Sequence, residues 1–128
     1  MAEGSVECEL AVSADEAWGA VGDFAGLEAV FPDLESLEIE GDDRIIGMFG
    51  MKIRERLFEH DDVARRLVYG IVDGVPVEHH RGTITVTEQG TGSKITWAYD
   101  VEPPEMADLM GATYAGALES VKKHFGEA

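Results

Sequence analysis

The sequence lacks most of the features that announce a particular chemistry. It has a single cysteine, Cys8, so no internal disulfide braces the chain, and a small domain must then rely on its apolar core. That is the habit of proteins from a reducing cytosol, and a cytoplasmic location is expected. No apolar run approaches the ~20 residues that cross a bilayer. Met1-Ala2-Glu3-Gly4 offers neither the basic nor the apolar region of a signal peptide. Basic residues are scarce, ten Lys and Arg against 26 Asp and Glu, for a net charge of −16. Such a surface repels polyanions, so neither nucleic acid nor insertion into an anionic membrane is expected. The acidity keeps the chain soluble and names no partner; salt-adapted and ordinary acidic proteins share it.

Catalytic signatures are equally thin. No Gly-x-Ser-x-Gly elbow occurs, and Gly47 and Gly50 belong to a hairpin rather than to a phosphate loop before a helix. His79 and His80 are adjacent, and neighbouring residues of a strand point to opposite faces, so the two cannot chelate one ion. His60, His124 and Cys8 have no ligand-like spacing. No metal and no cofactor are expected.

What is present is a strong pattern. A length of 128 residues suits one domain, residues 1–128, and no linker, repeat or low-complexity stretch divides it. Residues 4–12 alternate, with Val6, Cys8, Leu10 and Val12 on one side, and predict a strand. Ser13 and Glu16 form a capping box for a helix with Ala17, Trp18, Val21 and Phe24 as its stripe. A second short helical piece runs from Gly26 to Phe31 and stops at Pro32. From Leu37 to Glu102 the chain reads as short strands: Leu37–Ile39, a hairpin of 44–49 and 51–60 around Gly50, then 66–73, 78–88 and 94–101. Asp61-Asp62, Gly74 and Gly90-Thr91-Gly92 mark the later turns.

Pro104 opens a final helix of about twenty residues that reaches Phe125. Glu105 and Asp108 lie near its positive end, Lys122, Lys123 and His124 lie in its last turn, and Gly126 is placed to stop it. Met106, Leu109, Met110, Thr113, Ala117, Leu118, Val121 and Phe125 recur at helical spacing and predict a broad buried face. The expected class is α+β: a curved antiparallel sheet of about seven strands wrapped around one long C-terminal helix, with two short helices after the first strand. Such a sheet and helix enclose an internal cavity more readily than they present a groove.

The order and spacing resemble the SRPBCC superfamily, the START and birch-pollen-allergen-like helix-grip fold, and within it the polyketide cyclase/dehydrase-like group. The resemblance covers essentially the whole chain. It is carried by Ser13-Ala14-Asp15-Glu16-Ala17-Trp18 with Asp23-Phe24, by Phe31-Pro32, and by Arg54-Glu55-Arg56-Leu57 before Asp61-Asp62. Tyr69-Gly70-Ile71, Pro76, Gly82-Thr83-Ile84 and Thr96-Trp97 complete it. Phe31 stands where the family usually has tryptophan, and Gly47-Met48-Phe49-Gly50-Met51-Lys52 is a shorter hairpin that carries lysine, so the mouth of the pocket is expected to differ. The resemblance implies binding of lipids, sterols, polyketides or similar molecules between sheet and helix, with cyclases and dehydratases as a minority. Fold alone does not choose among these.

If Ile95, Trp97 and Tyr99 face the helix, continuity of the pattern turns Leu67, Tyr69, Ile71 and Asp73 inward. Ile53, Glu55, Leu57, His80, Gly82 and Ile84 follow on the neighbouring strands. The expected ligand contacts are Ile53, Leu57, Tyr69, Ile71, Ile84, Trp97, Tyr99, Met106, Met110 and Tyr114. Glu55 and His80 are the candidate catalytic pair, a carboxylate orienting an imidazole for ring closure or dehydration. The plainer alternative pairs Glu55 with an arginine at the sheet surface and leaves His80 at a strand end in water. Gly111 and Gly116 in the last helix each cost ~1 kcal/mol relative to alanine, which close packing or ligand room would offset. Three functions follow: a small hydrophobic ligand held in a cavity by a monomer or homodimer, a cyclase/dehydratase using Glu55 and His80, or an interaction module whose cavity has collapsed.

Overall fold

A computed structural model describes residues 2–127. Strand β1 (Ala2–Leu10) leads into helix α1 (Ala14–Val21), and a single 3-10 turn follows at Leu27–Ala29. Six strands come next: β2 (Ser36–Glu40), β3 (Asp43–Met48), β4 (Met51–Asp61), β5 (Arg66–Asp73), β6 (His79–Gln89) and β7 (Gly92–Glu102). A 3-10 turn at Pro104–Met106 then opens helix α2 (Ala107–His124). All seven strands form one antiparallel sheet in the order β1-β7-β6-β5-β4-β3-β2. The second short helix expected over 26–31 is therefore only one 3-10 turn. Its few residues cannot recover the cost of nucleating an α-helix before Pro32 stops it.

Local chemistry accounts for the elements. Ser13 is the N-cap of α1, its Oγ accepting the Glu16 amide at 3.2 Å. The β3–β4 hairpin turns on Phe49 and Gly50, both in the left-handed region (φ 53° and 73°), a pairing that matches the right-handed twist of the strands. Gly126, at φ 73°, ends the last helix.

Two register shifts, at Arg54/Glu55 and at Leu57/Glu59 against β5, interrupt the β4–β5 ladder. Bulges of this kind bend a sheet. The first leaves Val72 without a partner, since Glu55 pairs with Ile71 and Arg54 with Asp73. That single extra residue reverses the side on which the rest of β5 points. Asp73, expected inward, is exposed.

Helix α1 packs on β6 and β7, and α2 packs along β1 and β7. Leu10, Ala17, Ile84, Val86, Ile95, Val101, Leu118 and Val121 make the dense core beneath them. Burying each large aliphatic side chain contributes ~1.5–3 kcal/mol. The concave face of β3, β4 and β5 has no such cover, and the cavity lies there.

Candidate functional site

The cavity has a volume of about 200 Å³. Its floor is Ile46, Ile53, Glu55, Tyr69, Ile71 and Trp97; its helical wall is Met110, Thr113, Tyr114 and Ala117. Arg44 closes one end. At the other, Phe49, Met51 and Leu109 border it while 83%, 44% and 55% exposed, so the mouth is apolar and open to solvent. The volume is below the roughly 300–1,000 Å³ usual for drug-sized ligands, which sets the scale at one or two rings or a short chain.

Six expected contacts line the cavity together: Ile53, Tyr69, Ile71, Trp97, Met110 and Tyr114. Four do not. Ile84 is buried in the core on β6, the strand that α1 covers. Leu57 and Met106 are half-buried at the edge of the core. Tyr99 reaches between β1 and α2, its hydroxyl 2.7 Å from where a Cβ on Gly111 would stand. Close packing thus explains Gly111, whereas a Cβ on Gly116 would meet nothing.

The expected Glu55–His80 pair does not form. Glu55 accepts a hydrogen bond from Nε of Arg44 at 2.8 Å, and the two side chains are only 9% and 5% exposed. The Arg44 Nη1 donates to the Phe24 carbonyl at 3.0 Å, and its guanidinium lies 4.0 Å over the Phe24 ring. The plainer reading named the right kind of partner but the wrong place, because this pair is buried beside the cavity. Taking two charges out of water is costly, and the three contacts to Arg44 offset that cost.

His80 is 1% exposed rather than in water. Its Nδ1 accepts the Ile71 amide at 3.1 Å, so the ring proton sits on Nε2, which donates to the Tyr114 hydroxyl at 2.6 Å. Burial lowers its pKa to about 4, with His79 and Arg81 adding repulsion, and the ring is neutral at pH 7. The indole N–H of Trp97 donates to the Tyr69 hydroxyl at 3.1 Å, and the Trp97 and Tyr114 rings stack with centroids 4.5 Å apart. Burial pushes the pKa values of both phenols up, so both keep their protons. Gly82, paired with Tyr69, leaves room for its ring: a Cβ there would lie 2.5 Å from ring atoms.

Sequence reasoning missed Arg44, and at the mouth it singled out the 47–52 hairpin, which supplies Phe49 and Met51, but not Leu109. Arg44 had a signal, since counting back from the Phe49–Gly50 turn sets it opposite Glu55. Among the described residues no three His, Cys, Asp or Glu side chains gather where they could hold a metal, and no helix is long and apolar enough to cross a membrane.

A sheet gripping a long C-terminal helix, with an apolar chamber between them, defines a helix-grip protein of the SRPBCC superfamily, a fold that supports hydrophobic ligand binding in general. The chain belongs to the polyketide cyclase/dehydrase and lipid transport family, which it matches over residues 1–126. It is similar in structure to the protein XoxI from Bacillus cereus, at 26% identity and a TM-score of 0.90 over 98% of this chain and 96% of that one. An uncharacterized protein from Bacillus thuringiensis matches at 24% identity and 0.88, covering 97% and 98%. Norcoclaurine synthase from Thalictrum flavum shares the fold at 24% identity and 0.76, covering 99% and 94%. Among curated proteins no sequence matches this chain.

Proposed function

We propose that this protein binds one small hydrophobic molecule in the chamber between β3–β5 and α2. The observation that carries this reading is the chamber itself, about 200 Å³ lined by Ile46, Ile53, Ile71, Trp97, Met110 and Ala117. A collapsed interaction module would have no such space. Buried apolar surface supplies the affinity at ~25 cal/mol per Å² before association costs. Met48, Met51 and Met110, flexible and polarizable, adapt the walls to the ligand. Membership of a family described by lipid transport as well as cyclisation supports the reading.

The test is a thermal-shift panel of sterols, fatty acids and small polyketides on the natural protein and on Ala117→Phe. Ala117 lines the chamber, and a phenyl ring there occupies much of its volume. The expected result is a ligand-dependent rise in Tm for the natural protein and none for the variant. A folded variant that responds as well as the natural protein would place binding elsewhere.

A further inference from the structure

Hydrogen-bond accounting around Tyr69 and Tyr114 leaves one proton over. His80 Nε2 donates to the Tyr114 oxygen, and Trp97 Nε1 donates to the Tyr69 oxygen. Each phenol therefore already accepts, and each still has its own O–H to give. Even a hydrogen bond between the two phenols would consume only one of these protons. The other has no acceptor among the described residues: Glu55 is bonded to Arg44 and no hydrogen bond joins it to either phenol. Both phenols line the chamber, and Tyr69 and Tyr114 are 1% and 5% exposed.

We infer that the bound molecule presents a neutral oxygen acceptor, of the ketone, ester or amide carbonyl class, to this spare phenolic proton. The inference rests on the binding reading above and names the ligand chemistry. A purely hydrocarbon ligand displaces water from the chamber and leaves the O–H unpaired, and an unsatisfied buried donor is penalised heavily. A cation or a ligand offering only donors likewise leaves this proton without an acceptor. The imidazole and the indole each donate to a phenolic oxygen, so what the phenols have left to give is a proton.

The experiment uses two compounds of nearly equal shape, 1-tetralone and tetralin, with the natural protein. Partition into a plain apolar pocket favours tetralin. The expected result is the reverse, with 1-tetralone about tenfold tighter (~1.4 kcal/mol). The infrared carbonyl stretch of bound tetralone is expected below its position in hydrocarbon solvent. It should stay there in the Arg44→Met/Glu55→Met double variant, which removes the other donor lining the chamber. Tighter binding of tetralin with an unshifted carbonyl would overturn the inference and leave the binding reading standing. A shift lost in the double variant would overturn the assignment to the phenols. Binding of neither compound would overturn the inference and the binding reading together.

Discussion

Acid should weaken this fold at a pH where surface carboxylates are still ionised, and His80 is the reason. In the folded chain the His80 imidazole is held near pKa 4 by burial; in the unfolded chain it titrates near 6.5. The unfolded state therefore binds a proton first, and folding stability rises with pH across this interval. Read downward, the contribution of His80 is intact above pH 6.5 and shrinks steadily toward pH 4, below which both states carry the proton. At roughly 1.4 kcal/mol per pH unit the whole interval amounts to about 3 kcal/mol. That is a large share of the 5–15 kcal/mol that holds typical domains together. The informative variant is His80→Gln, whose amide oxygen can accept from Ile71 N–H and whose NH₂ can donate to Tyr114, without a titrating group. Urea denaturation between pH 7.5 and 4.5 should show the natural protein losing about 2–3 kcal/mol more than the variant. Parallel pH curves for the two proteins would refute the reasoning, because they would mean that His80 gains its proton as readily folded as unfolded.

Further outcomes follow from the same geometry. Glu55→Met alone strands the buried Arg44 charge and should cost about 3–5 kcal/mol, while Arg44→Met/Glu55→Met should recover most of it; urea midpoints of the single and double variants decide this. Gly82→Ala places a methyl group against the confined Tyr69 ring and should cost about 1–3 kcal/mol by the same assay. Phe49→Asn relieves a left-handed residue that is 83% exposed, and should raise stability by about 1 kcal/mol while weakening ligand capture at the mouth.

Periodicity made the architecture legible before any coordinates. Ile95, Trp97 and Val101 alternate on β7, and Met110, Leu118 and Val121 repeat along α2, because each face must meet one core, whereas Leu109 and Thr113, expected on that buried face, are exposed and Tyr114 is buried. The site was legible only where that alternation continued unbroken. Asp73 was misplaced because the bulge at Val72 depends on tertiary bending and leaves no mark on the pattern. Ile84 and Tyr99 point inward as expected, yet packing elements, not alternation, decide which inward residues meet a cavity. The His80–Tyr114 contact joins a strand and a helix 34 residues apart, beyond the reach of any local rule.

The central claim is that the chamber between β3–β5 and α2 holds a molecule. The most direct measurement is native mass spectrometry of the protein purified from its own host, with organic extraction of whatever it carries. The account predicts one small hydrophobic molecule per chain, carrying an oxygen acceptor and lost from Ala117→Phe. Protein that emerges empty, and whose Tm no sterol, fatty acid or polyketide raises, would contradict it.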